Sequence, residues 1–240
     1  MNCKSKILCA IALLLPLTVH AQTSVQPAGL GTGTSPYQID SLPNLYWLSQ
    51  TPTAWADTFT QTSDIDASTT STWSGGFPPI GVLNGFTGSY DGNKHSIDHL
   101  TIHSTENQVG LFSIIGISGT IKNIGLTNAI VTATGGGSWV GVLAGLNQGT
   151  IIGCYATGTD SASYLIGGLV GTNNGIISNS YAAVSVFASG SSVFAGGGLV
   201  GANILNININ PSQTISNSYQ GKRIKNHPVG SIIVIIHCFQ

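Results

Sequence analysis

Leu169-Val170-Gly171-Thr172-Asn173, with Gly175-Ile176-Ile177-Ser178-Asn179-Ser180-Tyr181-Ala182 directly behind it, is the stretch on which the fold turns, because the chain repeats it. The first element recurs as Leu143-Ala144-Gly145-Leu146-Asn147 and as Leu199-Val200-Gly201-Ala202-Asn203, with Gly167-Gly168 and Gly197-Gly198 ahead of the second and third copies. The second element recurs as Gly149-Thr150-Ile151-Ile152-Gly153-Cys154-Tyr155-Ala156 and as Gln213-Thr214-Ile215-Ser216-Asn217-Ser218-Tyr219. An earlier, degenerate copy runs from Val109-Gly110-Leu111-Phe112 to Gly119-Thr120-Ile121-Lys122-Asn123-Ile124. The Leu positions 111, 143, 169 and 199 lie 32, 26 and 30 residues apart, a period that signals a solenoid or a propeller.

The units lack helical periodicity and are rich in glycine, which excludes leucine-rich, ankyrin and tetratricopeptide repeats and selects a β-solenoid. Coils stacked at the strand spacing of about 4.8 Å place equivalent side chains above one another. Ile121, Ile151, Ile177 and Ile215 are expected to form an interior stack. Asn123, Asn179 and Asn217 are expected to form a turn ladder in the left-handed region, with Gly153 meeting the same backbone demand. Cys154 falls in register with Ser180 and Ser218, so it reads as a small buried residue in a stack rather than a reactive thiol.

Composition agrees. Only 6% of the 240 residues are charged, against about 25% in ordinary soluble domains, while 32 glycines accompany a mean hydropathy of +0.28. Long surface helices need the charges that are missing here, so the expected fold is all-β. In-register stacking explains the deficit, since like charges on successive coils repel whereas Ile, Ser and Asn pack or hydrogen-bond. The formal charge of −1 conceals an acidic body: between residues 22 and 220, two cations face eight carboxylates. With no cluster of Lys and Arg there, nucleic acid is excluded as a partner.

Residues 1–21 read as a secretory signal cleaved after Ala21: two lysines, an apolar run from Ile7 to Leu17, then small residues. That run is too short to span a bilayer, and no transmembrane span is expected in the mature chain. Residues 22–36, rich in Gly, Thr, Ser and Pro, read as a flexible leader. A cap with the first coils is expected over 37–106, beginning with a short helix after Ser41 that carries Pro43 in its first turn and Leu42, Leu45 and Leu48 on one side. Repeat coils follow over 107–220, and an atypical tail over 221–240. The mature chain keeps only Cys154 and Cys238, too few for a disulfide framework.

Gly168-Leu169-Val170-Gly171-x-Asn173 with Gly175-x-Ile177-x-Asn179-Ser180-Tyr181-Ala182 resembles the GLUG repeat of large bacterial surface and adhesin-like proteins, a repeat also found beside the catalytic domain of IgA-specific metallopeptidases. The region before it, including Phe86-x-Gly88-x-Tyr90-Asp91-Gly92, is similar to the stretch that leads into such repeats. Over roughly residues 37 to 220 the resemblance implies a right-handed parallel β-helix on a secreted or cell-surface protein, without a cofactor. It places Leu143, Gly145, Asn147, Gly168, Leu169, Val170, Gly171, Asn173, Leu199, Val200, Gly201 and Asn203 in the repeat motif. An insertion at Ile204–Pro211 and the tail after Gly221 depart from the pattern, and the tail reads as a frameshifted or truncated end.

Candidate chemistry is sparse. His95, His99 and His103 stand four apart, which gathers ligands on a helix but spreads the outer two over about 26 Å of strand, so no metal site is expected. No His-Glu-x-x-His occurs, so the metallopeptidase chemistry is absent. Gly135-Gly136-Gly137 lacks the Lys and helix of a phosphate loop. Asp64, Asp66 and Asp91 are the runner-up catalytic set, since polysaccharide cleavage needs two carboxylates about 5 to 9.5 Å apart; the competing and favoured reading is that Asp91-Gly92 makes a turn and the Asp64/Asp66 pair caps backbone amides or binds a structural calcium. Trp47, Trp55, Trp73 and Trp139 with Tyr90, Tyr155, Tyr164 and Tyr181 either line a sugar-binding surface or stack between coils. The expected function is non-catalytic adhesion or extracellular scaffolding toward a host or matrix glycan or protein. The alternatives are a carbohydrate-binding or polysaccharide-cleaving protein and a fragment of a larger adhesin, whose solenoid ends favour self-association.

Overall fold

Each repeat supplies four short strands, one to each of four parallel sheets. In the copy that opens with Leu169 they are Val170–Asn173, Ile176–Ser178, Tyr181–Ala188 and Ala195–Gly197. The computed structural model describes residues 22–136, 138–188, 195–203, 214–216 and 219–220; residues 1–21, expected from the sequence to be a signal, the 204–211 insertion, Asn217, Ser218 and the tail lie outside them. The chain passes from a first sheet to a second, third and fourth, and then back to the first one rung higher. Every strand pair in the four sheets is parallel, so the fold is an all-β parallel β-helix with a short amino-terminal helix.

Register follows the side chains expected to stack. Phe59, Tyr90, Ile121, Ile151, Ile177 and Ile215 occupy one position on successive rungs of the first sheet, and the first five are fully buried. Burying each aliphatic side chain contributes about 1.5–3 kcal/mol. The column is aromatic at the amino end, where Phe59, Tyr90, Phe86 and Phe112 pack with ring centroids 5.2–6.4 Å apart, and aliphatic above. The corner between first and second sheets needs left-handed backbone: Asn123, Gly153 and Asn179 hold φ of 54°, 64° and 51°.

The repeat glycine has a separate reason. A Cβ on Gly171 would lie 2.6 Å from the Val140 backbone nitrogen; one on Gly145 would lie 2.4 Å from that of Val109, and one on Gly201 2.8 Å from that of Ile166. The motif glycine thus lets the fourth sheet press its backbone against the third-sheet strand of the coil below.

The motif Asn is also interior. Asn147 and Asn173 are fully buried. The Asn147 amide donates to Asn173 Oδ1 at 2.7 Å, and that of Asn173 donates to Asn203 Oδ1 at 2.9 Å. Their oxygens accept the Gly149 and Gly175 amides at the turn that follows. Each side chain therefore ties its own turn to the neighbouring rungs, satisfying polar groups that burial would otherwise leave costly. Cys154 is buried at the corner between the first and second sheets, its amide donating to Ser180 Oγ at 3.1 Å, and burial pushes its thiol up to about 12.

At the amino end the helix Leu42–Gln50 buries Leu45 and Leu48, and Trp55 Nε1 donates to the Leu48 carbonyl at 2.9 Å. Two short 3-10 segments, Pro52–Ala54 and Ser68–Thr72, accompany it. Residues 22–36, read from composition as a flexible leader, are hydrogen-bonded onto this first coil. Val25 donates to the Pro43 carbonyl, Gln38 to that of Ala28, and Thr58 to that of Gly31. Among the described residues no helix is long and apolar enough to cross a membrane.

Candidate functional site

Asp64 and Asp66 flank Ile65 on the first rung of the second sheet, where Ile65 points inward and both carboxylates outward. With Asp40, Leu42 and Trp73 they line a groove of about 460 Å³ between the second sheet and the start of the helix. Sequence reasoning missed Asp40, which stands apart from any pattern and joins the others only through the cap. Asp91 is elsewhere, in the first-sheet strand Ser89–Asp91, and it does not line the groove. The structure therefore brings together two of the three runner-up carboxylates.

Each carboxylate is engaged locally. Asp64 Oδ1 accepts the Ser96 amide at 2.8 Å, with His95 Nδ1 at 3.3 Å. Asp66 Oδ1 accepts the Ser68 amide at 2.9 Å. These backbone hydrogen bonds, the leading cause in both cases, hold the two carboxyls below the ordinary Asp value. Burial opposes the charge on Asp91, but bonds from the Asn93 amide, Asn123 Nδ2 and Lys122 Nζ, the last at 3.1 Å, outweigh it and leave its pKa lowered. A general acid in glycoside cleavage needs a raised pKa, whereas these three groups stay charged through neutral pH. The groove is suited to accept hydrogen bonds from hydroxyl or ammonium groups, beside the ring of Trp73.

The histidines are spread along strand, turn and strand. His99 occupies the turn between Ser96–Asp98 and Thr101–Ser104 with φ 56° and bonds Asp98 at 2.7 Å, while His103 is exposed on the second of these strands. Among the described residues no three His, Cys, Asp or Glu side chains are grouped to hold a metal. The aromatic candidates divide as well. Tyr90 is fully buried, donating to Gln61 Oε1. Tyr155 and Tyr181 stack face to face at 5.2 Å, and the Tyr155 ring lies over Gly125. Their faces are therefore taken up by neighbouring rungs, and Trp73 is the aromatic side chain in the groove.

Fold and groove together define a parallel β-solenoid with an acidic cleft at its capped end. No family model matches the chain. It is 41% identical over 168 residues to "Halomucin" of Haloquadratum walsbyi, a match covering 65% of this chain and 2% of that protein. It is 36% identical over 139 residues to the "Putative Gly-rich membrane protein" of Evansella cellulosilytica, covering 55% of this chain and 16% of the relative. The chain thus spans a small part of each relative's length. A solved structure described as a "putative immunoglobulin A1 protease" from Bacteroides ovatus superposes with a TM-score of 0.52 over 88% of this chain and 80% of that one, at 16% identity. That likeness concerns the fold.

Proposed function

We propose that the chain is a GLUG-type module of an exported surface protein, acting in adhesion or extracellular scaffolding through the outer face of its stack. One observation carries the reading. Between Asn123 and Gly221 the sequence holds a single Asp, Glu, Lys, Arg or His, namely Asp160, and that residue is buried. The described repeat coils accordingly present Thr, Ser, Asn and Tyr without charge, a surface that meets a neutral, hydroxyl-rich polymer or protein by hydrogen bonds and shape. The similarity to proteins named halomucin and Gly-rich membrane protein supports placement at the cell surface.

The test is a glycan and extracellular-matrix binding screen of the chain from Gln22 onward, run at low and at molar salt, with protease shaving of intact cells to establish exposure. Retention of a neutral ligand with little change across salt is expected. Binding that disappears in high salt, or a chain protected inside intact cells, refutes the proposal. A second reading, carbohydrate binding without cleavage, is favoured by the meeting of Asp64, Asp66 and Trp73 in one groove. Asp64→Asn with Asp66→Asn and Trp73→Ala separates the two: a ligand lost in these variants belongs to the groove rather than to the repeat face.

A further inference from the structure

Val131, Asp160 and Val186 share one register position on consecutive rungs of the second sheet. Both valines are buried, and Asp160 between them is 1% exposed. Neither of its carboxyl oxygens has a hydrogen-bond partner. The elements packed against its strand, Tyr155–Ala162, are Gly125–Ala133, Tyr181–Ala188, Trp139–Gly141 and Leu165–Gly167, and none carries Lys, Arg, His, Asp or Glu. The titratable groups on or beside these elements are Tyr155 and Tyr181, stacked on each other at the start of their strands, Cys154 and Tyr164. None of them is a cation. A valine-shaped space without a counter-ion, and with no donor beyond the residue's own backbone amide, whose effect burial outweighs, favours a carboxyl group in its neutral form.

Two residues before Asp160 the strand is irregular. Gly158 holds φ 131°, and the pairing with Gly125–Ala133 shifts register between Leu126 and Ala129. The extra residue belongs to the neighbouring strand, near Asn128 at φ 52°, so the ladder is interrupted beside Gly158, whose own backbone is one that glycine alone adopts without strain, while pairing with Tyr181–Ala188 runs unbroken. We propose that Asp160 is a proton-locked release point: the stack closes around its neutral carboxyl, and transfer of that proton to solvent opens the rung between Val131 and Val186, the strand pivoting at Gly158 to carry the carboxylate to water. The repeat stack is then tightest in acid and loosens as pH rises.

Burial pushes this carboxyl well above the ordinary value, which fixes the sign. The folded chain retains a proton that the unfolded chain gives up near pH 4, so stability from this group is complete below that value and lost as pH rises toward the folded one. Over that interval the folded-to-unfolded ratio falls about tenfold per pH unit. Asp64, Asp66, Asp91 and Asp98 are all shifted downward and act in the opposite sense, losing their contribution in acid.

The test compares the full chain with Asp160→Val and Asp160→Asn in urea titrations followed by circular dichroism between about pH 5 and pH 8. Wild type is expected to lose about tenfold in its folded-to-unfolded ratio per pH unit relative to Asp160→Val, and amide exchange at Val131 and Val186 is expected to accelerate with pH beyond its rate in that variant. The infrared spectrum of the folded wild type at neutral pH is expected to show a carboxylic-acid carbonyl band that Asp160→Asn lacks. Parallel pH profiles for wild type and Asp160→Val overturn the proposal. So does the absence of the acid band, a measurement on wild type alone that decides the matter even where neither variant folds.

Discussion

Asn173→Ala tests whether the repeat motif is held by its Asn column. The side chain accepts from Asn147 Nδ2 at 2.7 Å and from the Gly175 amide at 3.3 Å, and it donates to Asn203 Oδ1 at 2.9 Å and to the Gly175 carbonyl at 3.1 Å. Alanine leaves the Gly175 amide and carbonyl without these partners in a buried turn and removes one bond each from Asn147 and Asn203. Stranding a buried polar group costs about 1–3 kcal/mol. Two such groups, with relaxation at the neighbouring rungs, give about 3–5 kcal/mol. For a chain of this size that corresponds to a fall in Tm of roughly 10 °C. Asn203→Ala is the matched control, because Asn203 is exposed at the upper end of the described column and should cost under about 1 kcal/mol. Urea midpoints and thermal scans by circular dichroism provide the measurement. If the two variants lose the same stability, the column is ornamental and the motif Asn must be explained by its turn alone.

Other consequences are as direct. Gly171→Ala forces a methyl into the Val140 backbone, with nothing nearby that can yield, and should cost more than about 3 kcal/mol or prevent folding; Gly33→Ala, with nothing within 4 Å of the added carbon, should be neutral in the same urea titration. Cys154 should resist a thiol reagent in the folded chain, since its thiol is buried and pushed up to about 12; peptide mapping should find it modified only after denaturation, and rapid native labelling refutes the assignment. Asp98 accepts from the Thr127 hydroxyl first, then from Asn128 Nδ2 and His99 Nδ1, and its pKa is lowered. Its contribution is therefore present above the unfolded value and lost as pH falls through the folded one. Asp98→Ala should cost about 1 kcal/mol at neutral pH, a low figure because the side chain is 40% exposed, with the gap to wild type closing below about pH 4.

The sequence discloses the stack more readily than its interior chemistry. A motif recurring every 26 to 32 residues without helical periodicity leaves a β-solenoid as the economical way to bury its Ile positions, and Ile121, Ile151 and Ile177 line up as that argument requires. Asn123 and Asn179 were legible for the same reason: Asn at the end of a short strand, at a position where the intervening repeat has Gly153, calls for left-handed backbone. Asn147 and Asn173 were not, since an Asn two residues before a glycine, as in Asn147-Gln148-Gly149 and Asn173-Asn174-Gly175, reads as another turn former. Only the pairing of rungs reveals that its amide faces inward. The groove was half legible. Asp64 and Asp66 alternate around an apolar residue and so share a face, but Asp40 reaches them through the cap, a long-range contact that spacing does not encode. Asp160 was legible by parity, two residues from Gly158 and two from Ala162 on an alternating strand, yet a carboxylate is ordinarily assigned to solvent.

Register also explains where charge survives in this chain. Asp91 sits in register with Lys122 on the next rung, so stacking converts one carboxylate into half of an ion pair at 3.1 Å. Asp66 and Asp98 are in register with each other, an arrangement that ordinarily repels. Each is turned to its own donors, the Ser68 amide for one and Thr127 with Asn128 for the other, so both charges are balanced by dipoles rather than by a cation. Those solutions depend on irregular lower rungs, where the cap, a turn at Ser68 and a left-handed Asn128 supply donors at the right height. Above Lys122 the coils become regular, and every outward position has a near-copy of itself one rung away. A charge there has only a like neighbour or a neutral one, and the sequence places none on that face. The sole carboxyl it retains is turned inward, where it persists by keeping its proton.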